Sequence, residues 1–285
     1  MSDVEKLSGG GCLYVVATPI GNLGDMTYRA VQVLKQVALV AAEDTRHSRK
    51  LLAHYQIGTP LVSYHEHNAR QKVDPLLERL RSGDDIALIS DAGTPGIADP
   101  GYRLVQACHA AGIRVAAVPG ASALVGALSV AGVPTDRFTF EGFLPAKTAA
   151  RRNLLQDRTG LDQTLVFYEA PHRLLAAFKD LQEVAGPDRQ LVVVRELTKL
   201  HEEVFRGSVA EALVHFGQGS VKGELVLILP PAESAPKVSM SVALRKLLEE
   251  SDLPRRQVVK MIAKEYGVPG SDVYRESLKY LEDVD

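Results

Sequence analysis

Short apolar segments alternate with segments of helical periodicity between residues 13 and 118, and this alternation limits the folds that the chain can adopt. The apolar segments predict strands at 13–17, 37–42, 85–90 and 113–118, and the periodic segments predict helices near 25–35, 45–54, 69–81 and 101–111. Nearly continuous apolar strands that alternate with helices are typical of a parallel sheet covered on both faces. The first part of the chain is therefore predicted to be an α/β domain.

The pattern changes after residue 136, where strands lie closer together along the chain. Strands are predicted at 137–143, 163–169, 190–197, 202–206 and 223–229, and helices near 148–157, 171–185 and 208–216. We interpret this region as a second α/β domain with a mixed sheet. The helix predicted at 121–132 is apolar on every side and is therefore expected to be buried.

These patterns divide the chain into five segments. They are a disordered leader at 1–12, a first α/β domain at 13–121, a second α/β domain at 122–230, a linker at 231–241 and a small helical appendage at 242–285. The linker is assigned from its content of proline, serine and alanine.

The loops that follow the four strands of the first domain carry its glycine-rich and polar chemistry. They read ATPIGNLGD, AEDTRHS, SDAGTPGIADPG and PGASA, in chain order. Ligands of open parallel sheets bind at this edge. Gly93 and Gly96 would let a ligand approach the backbone, and Ser122 begins a helix whose N-terminal amides can bind a carboxylate. This combination suits a small ligand with a flat base and an anionic end, such as a nucleoside-type cofactor.

Several common site signatures are missing. The segment PIGNLG stands where a dinucleotide fingerprint would be but lacks its first glycine, and no G-x-x-x-x-G-K-[ST] motif occurs. His65 and His67 lie two residues apart without an evident third ligand, so no metal site is predicted, and Asn68 is expected to cap the next helix. These absences disfavour a dehydrogenase, an NTPase and a metalloenzyme.

Composition sets wider limits on location and partners. The 285 residues are 46% hydrophobic and carry a net charge of -2, so binding of nucleic acid would have to depend on local basic patches. The apolar runs are too short for a transmembrane helix, and the N-terminus does not have the pattern of a secretory signal. Cys12 and Cys108 provide no disulfide framework, which fits a reducing cytoplasm.

Eight motifs in this order resemble the ribosomal RNA small-subunit methyltransferase I family of the tetrapyrrole-methylase superfamily. They are TPIGNLGDMTYRA, AEDTRHSRKLL, SDAGTPGIADPGYRLV, VPGASA, FEGFLPAK, FYEAPHRL, RELTKLHEE and KGELVLI. The resemblance implies 2′-O-methylation of a cytidine ribose in small-subunit (16S) ribosomal RNA, with S-adenosylmethionine as methyl donor. It also implies a homodimer with a two-domain tetrapyrrole-methylase-like fold and the cofactor between the domains.

The resemblance carries over a set of cofactor-binding residues. Gly93, Thr94 and Pro95 match the superfamily's G-D-P triplet, and Thr94 in place of aspartate favours the ribosomal RNA branch over porphyrin chemistry. The full predicted cofactor set comprises Pro19, Asp91, Gly93, Thr94, Ile97, Ser122, Ala123, Tyr168, Glu169 and Leu197.

A ribose hydroxyl is a poor nucleophile, so a general base would assist its methylation. Glu43, Asp44, Asp91 and Glu169 are the acidic candidates at strand ends, with His47 and His172 nearby in sequence. Asp44 and Glu169 are preferred as catalytic residues. The competing interpretation is that these carboxylates cap helices or pair with Arg46 and Arg173.

Cations for RNA binding are clustered between residues 147 and 158. Lys147, Arg151, Arg152 and Arg158 lie there with a single acid, Asp157. Lys147, Arg151 and Arg152 are predicted to contact RNA phosphates, whereas a solvated helical face is the alternative. A second candidate patch in the appendage contains Arg255, Arg256, Lys260 and Lys264.

Two rival functions remain open at this point. A porphyrinogen C-methyltransferase of the same superfamily would bind a tetrapyrrole and ignore RNA. A non-catalytic RNA-binding assembly factor would keep the fold without binding S-adenosylmethionine.

Overall fold

A computed structural model describes residues 10–232, 239–251 and 253–281, except for the side chains of Glu265 and Leu281. The chain divides into two compact units, 1–231 and 232–285. Most of the predicted leader and of the predicted linker lies outside the described residues. The first strand begins at Cys12, so this residue belongs to the first sheet and not to the predicted leader.

The first sheet has five parallel strands in the order β3-β2-β4-β1-β5. These strands are β1 (Cys12–Val16), β2 (Leu39–Ala42), β3 (Leu61–Ser63), β4 (Ile86–Ile89) and β5 (Arg114–Val118). Successive residues of β4 face opposite sides, so that Ile86 and Leu88 join one core cluster and Ala87 and Ile89 join the other. Both faces of the central strands are therefore buried, as predicted.

Four helices lie between the strands of this sheet. They are α1 (Tyr28–Gln36), α2 (Thr45–His54), α3 (Ala69–Arg81) and α4 (Tyr102–Ala110). Thr27 caps α1 by accepting a hydrogen bond from the Ala30 amide at 3.1 Å. Asn68 occupies the N-cap position of α3, but its side chain turns back and accepts a bond from the His65 amide at 2.9 Å. The predicted cap at Asn68 therefore closes the preceding turn instead of capping the helix.

Two features of this region differ from the sequence-based expectation. Strand β3 was not predicted, because it has only three half-buried residues at the sheet edge. The helix α5 (Ala123–Ala131) is not buried on every side, since Val125 and Val130 are 61% and 40% exposed. Ala127, Leu128 and Ala131 form its buried face, which packs on the second sheet.

The second sheet is mixed and has the strand order β6-β7-β10-β8-β9. Its strands are β6 (Phe138–Phe143), β7 (Thr164–Glu169), β8 (Gln190–Arg195), β9 (Glu203–Ser208) and β10 (Leu225–Leu229). Strands β6 and β7 are parallel, and the other neighbours are antiparallel. One face of this sheet is covered by the helices α6 (Thr148–Arg158), α7 (Leu174–Ala185) and α8 (Val209–Gly217), and α5 covers the other face.

The C-terminal unit contains three further helices around its own small core. They are α9 (Met240–Glu250), α10 (Arg255–Tyr266) and α11 (Gly270–Leu278). Leu244, Val258, Ile262 and Val273 are fully buried in this core. Across the described ranges, none of the helices is both long enough and apolar enough to span a bilayer.

Helix α8 begins with a capping box that offers a test of this local structure. The Ser208 hydroxyl accepts a bond from the Glu211 amide at 3.2 Å, while the Glu211 carboxylate accepts one from the Ser208 amide at 2.7 Å. We expect Ser208→Ala to lower the free energy of unfolding by about 1 kcal/mol, because the Glu211 amide at the start of the helix loses its side-chain acceptor. Urea unfolding measures the change, and Ser220→Ala, at an exposed loop residue, is the control. Equal stability of the two variants would contradict the expectation.

Candidate active site

The loops that follow β1 and β4 are joined by two reciprocal backbone hydrogen bonds. The Thr18 amide donates to the Gly93 carbonyl at 2.9 Å, and the Gly93 amide donates to the Thr18 carbonyl at 3.0 Å. The Thr94 hydroxyl donates in addition to the Ala121 carbonyl at 3.3 Å. The β4 loop is thereby anchored to the loops that follow β1 and β5 at the carboxyl edge of the first sheet.

The backbone of this β4 loop adopts conformations that few residues tolerate. Gly93 and Gly96 have φ angles of 77° and 84°, and Ala98 has a φ of 62° despite its side chain. A β-carbon at Gly101 would lie 3.0 Å from the Gly96 amide nitrogen, so the loop closes tightly on itself. The glycines of SDAGTPGIADPG therefore serve a folded-back loop that ends at α4.

This loop forms one wall of a pocket of about 300 Å³ between the two sheets. The lining residues from the first sheet's loops are Ile20, Ala92, Gly93, Thr94, Ile97, Ala98, Asp99, Ser122 and Ala123. Those from the second sheet are Phe143, Tyr168, Glu169, Ala170, Pro171, Val194, Leu197, Gly223, Glu224, Leu225 and Val226. The volume falls at the lower end of the range that small-ligand sites occupy, and the walls are mainly apolar.

The second sheet presents aromatic side chains to this pocket. Phe143 pairs with Tyr168 at the ends of β6 and β7, with ring centroids 5.6 Å apart, and Phe140 packs on the same tyrosine at 4.8 Å. Burial raises the pKa of Tyr168, so its hydroxyl stays protonated at neutral pH. The wall is rigid and apolar and carries one neutral hydroxyl.

Glu169 lies at the end of β7 with its side chain fully buried. Its Oε1 atom accepts a hydrogen bond from the Ala170 amide at 2.8 Å and forms an ion pair with Arg173 at 2.9 Å. Its Oε2 atom has no hydrogen-bond partner among the described residues. A buried carboxylate oxygen without a donor is costly, so this atom is suited to accept a bond from a ligand in the pocket.

Three carboxylates, those of Glu43, Asp91 and Asp99, lie together at the carboxyl edge of the first sheet. Of these three, Asp99 lines the pocket. Glu43 accepts a bond from the Asp91 amide at 3.3 Å, and Asp91 accepts one from the Asp44 amide at 3.1 Å. Burial, followed by the charge of Glu43, raises the pKa of Asp99 to about 6, although Ser90 partly opposes this effect. Burial also raises the pKa of Glu43.

The pocket brings together most of the predicted cofactor residues. Gly93, Thr94, Ile97, Ser122, Ala123, Tyr168, Glu169 and Leu197 all line it, whereas Pro19 and Asp91 do not. Ile20 takes the place expected of Pro19, and the Asp91 carboxylate instead binds the start of α2. Sequence reasoning missed Asp99 and Phe143, although both stand inside motifs that carry the family resemblance. Asp99 could have been found from the sequence, because it is the second aspartate of SDAGTPGIADPG, a loop already assigned to the site.

The structure corrects the prediction of a catalytic role for Asp44. Asp44 is the N-cap of α2 and accepts hydrogen bonds from the Arg46 amide and guanidinium at 2.8–3.1 Å. Those hydrogen bonds hold the pKa of its carboxyl far below the ordinary range. A partly exposed carboxylate bound in this way is a poor proton acceptor, and it lies outside the pocket lining. Helix capping, the competing interpretation, accounts for Asp44.

The predicted RNA-binding patch on α6 is also corrected. Arg151 is only 2% exposed, and its Nε atom donates to Asp180 on α7 at 2.7 Å. Arg152 pairs with Asp180 and Glu183, while Lys147 remains exposed. Asp180 and Glu183 belong to α7 and neutralise arginines of α6. The net positive charge counted along α6 alone is therefore larger than the positive charge at its surface. Arg151 is a structural residue that cannot reach RNA in this conformation.

In the appendage, the second candidate patch keeps part of its basic character. Arg256, Lys260 and Lys264 are exposed and lie four residues apart on α10, whereas Arg255 is half-buried.

A parallel sheet whose loops share a pocket with a mixed second sheet, together with the glycine-rich β4 loop, defines a methyltransferase of the tetrapyrrole-methylase class. The family described as Tetrapyrrole (Corrin/Porphyrin) Methylases matches residues 12–213. The chain belongs, within this class, to the ribosomal RNA small subunit methyltransferase I family. It is 49% identical to the family member of Synechocystis sp. over 94% of this chain and 98% of that protein. It is 48% identical to the one of Pseudomonas aeruginosa over 94% and 97%.

Solved structures support the fold assignment. Uroporphyrin-III-C-methyltransferase from Thermus thermophilus is similar with a TM-score of 0.55 and 25% identity, covering 76% of this chain and 94% of that one. Diphthine synthase is similar with a TM-score of 0.62 and 14% identity, covering 77% and 89%. The similarity to diphthine synthase concerns the fold alone.

The buried pair between Arg151 and Asp180 can be separated from a surface role by mutation. We expect Arg151→Ala to lower the free energy of unfolding by about 3 kcal/mol, because Asp180 stays buried after losing its main partner. Lys147→Ala, the matched removal of an exposed cation from the same segment, should change it by less than about 0.5 kcal/mol. Urea unfolding compares the two variants. A loss below about 1 kcal/mol in Arg151→Ala would contradict a structural role.

Proposed function

We propose that this chain transfers a methyl group from S-adenosylmethionine to the 2′-hydroxyl of a cytidine ribose in small-subunit ribosomal RNA. The observation that carries the proposal is the pocket between the two sheets, which eight of the predicted cofactor residues line together. Family membership supports the class of reaction. Relatives in Synechocystis sp. and Pseudomonas aeruginosa carry the name ribosomal RNA small subunit methyltransferase I.

The residues present fit the cofactor. Gly93 lies in the pocket wall with a positive φ, which leaves room for a ligand against the backbone. The Ser122 side chain makes no capping hydrogen bond at the start of α5, so the first amides of that helix have no side-chain acceptor there. The unpartnered Oε2 atom of Glu169 offers an acceptor for a cationic or hydroxylated part of the cofactor. S-adenosylmethionine supplies an electrophilic methyl group on a sulfonium when it is bound.

The protein's own contribution to the reaction is mainly positioning and exclusion of water. Ile97, Phe143 and Leu197 supply apolar surface around the reacting groups. Gly93 and Thr94 are held by hydrogen bonds to Thr18 and Ala121, so this side of the pocket is organised before a ligand arrives. A preorganised site that aligns a hydroxyl with a methyl group removes much of the entropic barrier to their reaction.

Glu169, one of the two predicted catalytic residues, is better suited to binding than to proton transfer. Its side chain is fully buried, and Arg173 and the Ala170 amide hold one carboxylate oxygen. We propose that Glu169 fixes the cofactor through the other oxygen.

RNA binding, assembly and location also belong to this proposal. Lys147 is the exposed cation of the α6 segment, and Arg152 is a weaker candidate because two acids accompany it. We propose a homodimer, which the exposed apolar residues Val125 and Val130 support. A cytoplasmic location is supported by the proposed ribosomal substrate and by two free, buried cysteines.

Transfer of a labelled methyl group tests the function directly. Small ribosomal subunits that lack the modification, the corresponding free RNA and a porphyrinogen are incubated with the protein and labelled S-adenosylmethionine. We expect label on RNA, located to a cytidine ribose by nucleoside digestion. Label on the porphyrinogen would replace this function with carbon methylation. RNA binding without affinity for S-adenosylmethionine would indicate an assembly factor.

The cofactor site is tested by changing Gly93. A β-carbon there would lie 3.4 Å from Ile20 and project from a backbone with a φ of 77°. We expect Gly93→Val to weaken binding of S-adenosylhomocysteine at least about 10-fold, because the branched side chain occupies ligand space, and to lower stability by about 1–2 kcal/mol through backbone strain.

Calorimetry measures the affinity and urea unfolding the stability. Gly112→Val is the matched control, since Gly112 has a φ of 67°, offers open space within 4 Å of the point that a β-carbon would occupy, and does not line the pocket. The control should share the strain and keep the affinity. Equal affinity in the two variants would contradict the proposed site.

A further inference from the structure

The pocket contains three carboxylates, and two of them are paired with cations. Glu169 forms its ion pair with Arg173 at 2.9 Å, and Glu224 forms one with Lys199 at 3.0 Å. Asp99 has no cationic partner among the described residues. Ion pairs occupy the carboxylates of Glu169 and Glu224, whereas the unpaired and half-buried carboxylate of Asp99 is available to accept a proton. Asp99 therefore differs chemically from the other two acids of the pocket.

Backbone geometry holds Asp99 at the pocket wall. Ala98 adopts a φ of 62°, which is unfavourable for a residue with a β-carbon, and Gly101 closes the loop against Gly96. Such strained positions persist only where the surrounding structure enforces them, and they are concentrated at functional sites. Here the strained residue immediately precedes Asp99.

The charges around Asp99 favour proton uptake. Glu43 follows β2 and Asp91 follows β4, and both carboxylates face Asp99 from the first sheet's loops. Tyr168 faces it from β7 and is neutral, while Glu169 lies in the same wall with Arg173 as its counter-ion. Burial and these neighbouring acids raise the pKa of Asp99 to about 6. The carboxylate is thus still ionised at pH 7 to 8 but is a stronger base than an ordinary aspartate, as general bases require.

We propose that Asp99 is the general base of the methyl transfer and touches the ribose 2′-hydroxyl of the substrate. This inference rests on the proposed function. The Asp99 carboxylate accepts the hydroxyl proton while an oxygen lone pair forms the new bond to the methyl carbon. The carbon–sulfur bond breaks, and its electron pair goes to sulfur, so that the sulfonium becomes a neutral thioether. The products are the methylated ribose, S-adenosylhomocysteine and protonated Asp99, which then returns its proton to water.

Asp99→Asn tests the role, with Asp136→Asn as the matched change at an exposed aspartate that does not line the pocket. Single-turnover methyl transfer to unmodified small ribosomal subunits is measured from pH 5.5 to 8.5, and calorimetry gives the affinity for S-adenosylhomocysteine. We expect Asp99→Asn to slow the transfer at least about 100-fold, the lower range for general-base catalysis, with affinity changed less than about 3-fold. Asp136→Asn should change neither quantity.

The pH profile separates a base from a structural residue. The ionised form is the active one, so the wild-type rate should rise with pH, with a midpoint near the pKa of about 6. This rise should be absent in Asp99→Asn. A rise with the same midpoint in the variant, or a rate within about 10-fold of wild type, would overturn the role of Asp99. An affinity loss as large as the rate loss would make Asp99 a cofactor-binding residue and also overturn it.

Thermal unfolding verifies that the variant is folded and that the aspartate is destabilised by its surroundings. Because the pKa in the folded state lies above the value of about 4 in the unfolded chain, Asp99 stabilises the fold fully only below pH 4, and this contribution is lost as the pH rises through 6. Asp99→Asn should therefore unfold at a higher temperature than wild type at pH 7.5, and the difference should shrink toward pH 4. A lower unfolding temperature at pH 7.5 would contradict the proposed environment.

The failure of this inference is distinguishable from failure of the function. If the wild-type protein methylates RNA ribose and Asp99→Asn does so equally well, only the base assignment is overturned. If the wild-type protein transfers no methyl group to RNA ribose, both proposals are overturned together.

Discussion

The pair of hydrogen bonds between Thr18 and Gly93 is the constraint on which the site depends. Parallel strands carry no bonds beyond their ends, so the loops that follow β1 and β4 could otherwise diverge. The reciprocal bonds extend the contact between them by one antiparallel bridge. From that fixed point the β4 loop turns back through residues with positive φ and reaches α4 at Gly101. The pocket wall at Gly93 and Thr94 and the carboxylate of Asp99 are consequently parts of one folded loop.

The second sheet completes the site because of how its strands are directed. Strands β6, β7 and β8 end toward the pocket, and the antiparallel β10 begins there, as the pairing of Leu225 with both Glu169 and Arg195 shows. The same edge of this sheet therefore supplies aromatic surface from β6 and β7 and the carboxyl group of Glu169 from β7. A pocket between two sheets can combine rigid apolar walls with acids that have different partners, which a single sheet edge could not readily provide.

Sequence reasoning succeeded where the physical signal is local. Apolar strands of four to six residues and capped helices have recognisable patterns along the chain. All strands of both sheets except β3 were therefore predicted with ends within about two residues of those observed. Sequence reasoning failed where the role of a residue depends on a partner that is distant in sequence. The charge of Arg151 looked free because Asp180 lies 29 residues away on another helix. The full burial expected for α5 failed because apolar composition does not reveal which face packs.

The same distinction explains the outcome at the acids of the site. Asp44 and Glu169 were preferred among the acids at strand ends, but position at a strand end does not decide chemistry. Arg46 and Arg173 each form an ion pair with one of those carboxylates, and the hydrogen bonds from Arg46 lower the pKa of Asp44. Asp99 lies ten residues beyond the end of β4 and returns to the pocket only through the folded loop. Its lack of a cationic partner in the described part of the chain is a three-dimensional property, and so are the burial and the nearby charges of Glu43 and Asp91 that raise its pKa. The roles that we propose for the carboxylates of this pocket thus depend on which of them forms an ion pair with a cation. The order of residue types along the chain does not contain that information.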